Sequence, residues 1–241
     1  MPYYVSWNIT DNAPETLGYA HCDLPLFLDD IDAFEADSER AGDRLKAVVH
    51  RLASGLRKAT SHRAPNDDSK LTDFHVIFGS NAEFRLVHFM GRKLTGGIAA
   101  RLPDLPADAG KGFGIFESSP RSSKTGRTVE VDKYLQVLNQ ACVTCYGVAG
   151  RAYLRRLVDE LANDRNTLKA FLRKEMKRFE TEVANDAQVD PRIRRRYAGL
   201  YAAGQLGLHY EILHPECDWF VDAIASCYRA AIAPGSISVG R

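Results

Sequence analysis

The stretch that most constrains this chain is LPLFLDDID. Leu24, Leu26, Phe27 and Leu28 make a short apolar run interrupted only by Pro25, and Asp29, Asp30 and Asp32 follow at its C-terminal end. A run this short, with neither helical period nor alternation, predicts a strand buried on both faces, as in a sheet covered by helices.

The flanking segments fit that reading. Upstream, Asn12, Pro14 and Glu15 carry the signals of a helix start, with a capping residue, a first-turn proline and an acid three positions on. Downstream, residues 39–54 place Ala41, Leu45, Val48, Val49 and Leu52 on one helical face, and Gly55 supplies the stop. The basic stretch LRKATSHR, the turn cluster APNDDS and the apolar stretch DFHVIFGS then read as a long hairpin. IAARLPDL alternates weakly and predicts one more short strand; DAGKGFG reads as a glycine loop. The polar stretch SSPRSSKTGRT marks a boundary.

Beyond it the pattern is helical throughout. Val131, Tyr134, Leu135, Leu138, Cys142 and Cys145 share one stripe, and Leu168, Phe171, Leu172, Phe179 and Val183 share another. Asp190 and Pro191 cap a helix carrying Ile193, Tyr197, Leu200, Tyr201 and Leu208, and Trp219, Phe220, Ala223, Ile224 and Cys227 line a last one. The tail PGSISVGR is expected to fray. The expected organisation is an incomplete α/β core over residues 1–120 and an all-helical region over 121–241.

Composition narrows the class of protein more than its activity. With 241 residues, 45% of them hydrophobic, the chain can bury one large or two small cores. No apolar run approaches the roughly 20 residues of a membrane helix, and the opening MPYYVSWNITDN has no export signal, so a soluble cytoplasmic protein is expected. A net charge of +1 leaves any nucleic-acid contact to local basic clusters. Cys22, Cys142, Cys145, Cys217 and Cys227 are expected as reduced thiols. Cys142 and Cys145 form a C-x-x-C with no second pair to complete a zinc site, and their place on an apolar helix face predicts core packing.

A strand tipped by paired acids has the form of a Walker B motif. Its first carboxylate, Asp29, helps hold Mg²⁺, and the next, Asp30, orients an attacking water. A strand that merely exits into an acidic turn gives the same letters. The order of the downstream segments favours the motif: a helix, a basic hairpin, then VIFGSNAE, a strand ending in Ser80 and Asn81, where ring-forming ATPases keep a polar residue that senses the γ-phosphate.

At these residues the chain resembles the helicase-like ATPases of bacteria, phages and mobile elements grouped as domain of unknown function 927. The resemblance is carried by SWNITDNAPETLGYAHCDLPLFLDDID, RLPDLPADAGKGFGIFE, GVAGRAYL and RRRYAGLYAAGQLG, in that order along nearly the whole chain. It implies an AAA+-like P-loop ATPase core of αβα layers with a helical lid. It also implies ATP and Mg²⁺ at interfaces of a homo-oligomer, and coupling to DNA. Arg196 then corresponds to a lid arginine touching the γ-phosphate. Arg92 and Arg101 are arginine-finger candidates. Arg57, Lys58, His62 and Arg63, on the hairpin arm, are placed to track DNA phosphates, although charge defending an edge strand would look alike. The run Arg192, Arg194, Arg195 and Arg196 opens a helix, where the macrodipole disfavours cations, which points to an anionic partner.

Two departures limit the resemblance. The family usually has Glu at Asp30. More importantly, no segment matches the phosphate-binding G-x-x-x-x-G-K-[ST], and DAGKGFG has Gly112 where that loop needs a hydroxyl. The expected activity therefore depends on a Walker A segment supplied elsewhere, by an upstream chain or a homologous ATPase subunit. The alternative is a catalytically silent remnant or regulatory protein that binds DNA or an intact ATPase.

Overall fold

The computed structural model describes residues 4–10, 13–31, 38–55, 73–108, 110–116, 118–121, 130–186 and 188–233. The chain divides into two compact units, one running to Asp104 and including the chain from Ala231, the other spanning Leu105–Ala230.

The first unit is built on a parallel three-stranded sheet, β1 (Tyr4–Ser6), β2 (Pro25–Asp29) and β3 (Ile77–Ser80), in that spatial order. Parallel neighbours need a crossover. Helix α1 (Ala13–Ala20) connects β1 to β2, and α2 (Ser38–Ser54) lies in the connection from β2 to β3. The expected α2 face is buried: Leu45 and Val49 are at 0% exposure, with Ala41, Val48 and Leu52 also buried. They pack with Leu26 and Leu28 of β2, Trp7, Phe74 and Ile98. Each fully buried aliphatic side chain contributes about 1.5–3 kcal/mol. Gly55, at φ +67°, ends α2 as expected, and its carbonyl accepts the Phe74 amide at 3.0 Å.

Three points of the expectation for this unit need correction. β2 is not buried on both faces: Leu26 and Leu28 are inside, but Phe27 is 51% exposed. Alternate residues of a strand face opposite ways, and no described element covers the second face over Phe27. IAARLPDL is not a strand; α4 (Gly96–Arg101) occupies its start. The Ile98 and Ala99 amides both donate to the Thr95 carbonyl, and Ile98, Ala99 and Ala100 are all buried. Consecutive burial with alanines suits a helix wedged into a core better than an alternating strand. DFHVIFGS supplies β3, which pairs with β2 in parallel register; the basic arm and turn of the expected hairpin lie outside the described residues. β1 is absent from the sequence-based expectation, because three residues carry no usable period.

After β3 come α3 (Leu86–Met90) and a 3₁₀ turn, Gly91–Lys93. Asp104 accepts the Leu86 amide, at 3.0 Å and 3.2 Å to its two oxygens, and so caps α3. Burial pushes its carboxyl up from the ordinary range. This gives a packing role to the acid of the PDLP stretch.

The second unit is all-helical: α5 (Val131–Thr144), α6 (Val148–Asn163), α7 (Arg165–Glu182), α8 (Pro191–His209), a 3₁₀ turn (Pro215–Asp218) and α9 (Trp219–Ile232). Asp164 caps α7 by accepting the Thr167 amide at 3.0 Å, and Asp190 caps α8 by accepting the Arg192 amide at 2.8 Å. Phe179, Tyr197, Tyr201 and Tyr228 form an aromatic centre, with Phe179 5.3 Å from Tyr201 and 5.7 Å from Tyr228. In α9 the buried positions are Ala225, Tyr228 and Ala231, while Trp219 is 62% exposed, against expectation.

The α5 stripe is also corrected. Tyr134 meets Phe116 edge-on at 5.5 Å, but Leu138, Cys142 and Cys145 lie exposed and no residue of the helix is buried. An apolar stripe shows which side would be buried, and burial follows only where another element packs on it.

Candidate functional site

The candidate acids sit where two parallel strands end together. Leu28 is in register with Ser80, so the next residues along, Asp29 and Asn81, leave the sheet side by side. The Asn81 side-chain nitrogen donates to Asp29 Oδ1 at 2.7 Å, and its side-chain oxygen accepts the Asp30 backbone amide at 2.7 Å. The Ile31 amide donates to the Asn81 carbonyl at 3.4 Å, and the Trp7 amide to the Asp29 carbonyl at 2.9 Å. Asp30 lies in the left-handed region at φ +58°, where few non-glycine residues sit. The bond from its amide to Asn81 helps hold it there.

Asp29 has a second donor. The Tyr4 hydroxyl, on the neighbouring strand, hydrogen-bonds its carboxylate, and this bond and the Asn81 amide hold the Asp29 carboxyl below its ordinary range. The same bond raises the Tyr4 phenol. Asp29 is therefore an ionised oxygen donor at neutral pH. Mg²⁺ is commonly held by one or two carboxylates together with substrate phosphates, and Asp29, half-buried at the sheet's end, fits that part. When bound, Mg²⁺ would supply charge neutralisation of the phosphates.

Ser80 is engaged otherwise. Its hydroxyl accepts from Nε1 of the fully buried Trp7 at 2.7 Å and donates to the Asn81 carbonyl at 3.0 Å. It anchors the Asn81 turn to the core. Sequence reasoning missed both Tyr4 and Trp7; only the pairing of β1 with β2 brings them to the site.

The arginines divide. Arg101 is half-buried and donates to the carbonyl of Gly97, in its own helix, at 2.9 Å. Arg92 lies in the 3₁₀ turn after α3, its side chain outside what is described. Arg57, Lys58, His62 and Arg63 lie outside the described residues. Arg196 is half-buried in the second turn of α8. The cationic opening of α8 is partly satisfied within the chain. Arg192 pairs with Asp190, Nη2 to Oδ2 at 2.6 Å, and Arg194 donates to the Asp186 carbonyl at 2.7 Å. Arg195, exposed, and Arg196 complete the run. In α6, the GVAGRAYL stretch contributes to a groove of about 270 Å³ lined by Tyr146, Val148, Arg151, Ala152 and Arg155.

The fold places the chain among α/β proteins with an all-helical C-terminal region, matching a helicase fold. The solved structure that shows this is described as "SCCmec type IV Cch - active helicase"; the match has a TM-score of 0.54 at 17% identity and covers 92% of this chain. The chain spans about a third of that structure's length, 35%. No family model matches the sequence, and no curated protein matches it. No helix among the described residues is long and apolar enough to cross a membrane.

Proposed function

We propose that this chain is the C-terminal portion of a helicase-like P-loop ATPase of a mobile element, acting on DNA. In this reading Asp29 holds Mg²⁺, Asp30 orients water, Asn81 senses the γ-phosphate and Arg196 contributes from the helical region. The carrying observation is the Asp29–Asn81 pair. An ionised carboxylate and a polar side chain stand together at the C-terminal ends of adjacent parallel strands, the end at which ligands of open α/β sheets bind. The shared fold with a helicase supports the class.

Nucleotide turnover in this reading needs a phosphate-binding loop outside these 241 residues, because no segment of the sequence supplies one. Catalysis of phosphoryl transfer comes from loop amides, lysine and metal acting as a unit. Residues of such a unit lose nearly all of the rate when one part is missing. The face of the sheet that no described element covers, where Tyr4, Phe27 and Ile77 are 58%, 51% and 64% exposed, supports a further layer being supplied. DNA contact is assigned to Arg57, Lys58, His62 and Arg63, and replacing Arg57, Lys58 and Arg63 with Ala should weaken single-strand binding and flatten its salt dependence.

The test is phosphate release by the chain alone and fused to a family-type segment bearing the loop. The chain alone is expected to be silent. The fusion is expected to turn over ATP, with Asp29→Ala abolishing it and Asp30→Glu leaving it equal or faster. A well-folded fusion that stays silent would replace this reading with that of a regulatory or remnant protein.

A further inference from the structure

At the opposite end of the sheet from Asp29 and Asn81, the lead-ins to β2 and β3 bring together three metal-ligating side chains that lie far apart in sequence. Cys22 and Asp23 stand between α1 and β2, and His75 stands just before β3. One ligand atom from each, a thiol sulfur, a carboxylate oxygen and an imidazole nitrogen, lies within 4.8 Å of the other two. Cys22 Sγ is 3.8 Å from Asp23 Oδ2, and His75 Nδ1 is 3.9 Å from Asp23 Oδ1. Ligands bound tetrahedrally at roughly 2.0–2.3 Å from zinc are separated by about 3.3–3.8 Å. Closing the set on an ion therefore asks for side-chain movements of up to about an ångström.

The backbone already holds the two segments in place. The Asp23 amide donates to the His75 carbonyl at 2.6 Å, and the Leu24 amide to the His21 carbonyl at 2.9 Å, with Asp23 itself at φ +62°. Cys22 is half-buried against the apolar core, so packing limits where its sulfur can go. Asp23 and His75 are 80% and 82% exposed, which leaves the outer side open to water.

We propose that Cys22, Asp23 and His75 form a site for a zinc-class divalent metal, completed by water, that clamps the N-terminal ends of β2 and β3. The donor set decides the class: thiolate and imidazole favour zinc-like ions over Mg²⁺, which prefers oxygen. The site is thus chemically distinct from Asp29. Binding forms a metal–sulfur bond and breaks the S–H bond, the proton leaving to buffer. Sequence spacing could not show it, since 53 positions separate Cys22 from His75.

The test is titration of the metal-free full chain with cobalt(II), followed by the thiolate-to-cobalt absorption band, and competition with zinc. Cys22→Ser, His75→Ala and the double variant Cys142→Ser/Cys145→Ser are compared, the last because those exposed cysteines are the rival thiolate pair. The wild type and the double variant are expected to show the band and bind one zinc. Cys22→Ser should lose the band. His75→Ala, at a solvent-exposed position, should leave the circular dichroism unchanged and weaken zinc binding by at least about tenfold, no less than supporting residues around a metal typically cost. Zinc should also raise the thermal midpoint of the wild type but not of His75→Ala. Absence of the band in the wild type, its survival in Cys22→Ser, unchanged zinc affinity in His75→Ala, or loss of the band in the double variant would each overturn the proposal.

Discussion

Asn81 bonds both acids of the motif at once, donating to Asp29 Oδ1 and accepting the Asp30 amide, each at 2.7 Å. Losing both bonds should lower the urea midpoint of Asn81→Ala. Asn81→Asp should cost more at neutral pH, because a carboxylate cannot donate to Asp29 and repels it. Urea denaturation at neutral and acidic pH reads both, and the deficit of Asp relative to Ala should shrink in acid. An Asn81→Ala variant as stable as wild type would show that the pair does not order the turn.

Tyr4 and Phe27 are register partners on the exposed face of the sheet, and Ile77 lies diagonally beside them on β3. Parallel sheets almost always have both faces covered. The isolated chain is expected to self-associate with rising concentration, and Phe27→Thr with Ile77→Thr to reduce that association in sedimentation velocity. A concentration-independent monomer would mean that the face needs no cover.

Gly55 and Gly91 separate two costs of a side chain at positive φ. A Cβ at Gly55 would lie 2.2 Å from the Phe74 carbonyl oxygen, whereas one at Gly91 would meet nothing within 4 Å. Both positions have positive φ, +67° and +51°, and Gly91, with ψ −129°, lies outside the left-handed helical well in a region that favours glycine. Gly91→Ala should therefore lower the thermal midpoint through backbone strain alone. Gly55→Ala should lower it through strain and through the clash with the Phe74 carbonyl, and a midpoint equal to wild type at either position would show that the backbone there relaxes freely.

Tyr197 is buried against Tyr228, and burial pushes its phenol up from 10.0 to about 12. A raised folded-state pKa favours the protonated form. Its contribution to stability is therefore complete below pH 10 and is lost as pH rises from there through about 12. Denaturation midpoints should fall across that window, and Tyr197→Phe should make the fall shallower. An unchanged slope would place the alkaline sensitivity on the other raised tyrosines, Tyr201, Tyr210 and Tyr228.

What the sequence by itself determined is what depends on near neighbours. The acid-tipped strand β2, the buried face and glycine stop of α2, and the aspartate cap of α8 each rest on residues within a few positions of one another. Period, capping and turn chemistry act over that range. It also carried the resemblance that pointed to a helicase-like fold, which the structure bears out for the α/β sheet followed by an all-helical region. Tertiary structure decided the rest. Leu26 and Phe27 are adjacent apolar residues of one strand, yet one is buried and the other exposed, because apolarity states a preference while coverage depends on which elements arrive. The same holds for the exposed α5 stripe, and for α4, whose alanines are buried by the core around them. Strand register is equally non-local. It alone places Asn81 against Asp29, Tyr4 beside both, and His75 against Cys22 and Asp23, since hydrogen bonding between backbones distant in sequence sets which residues stand opposite each other.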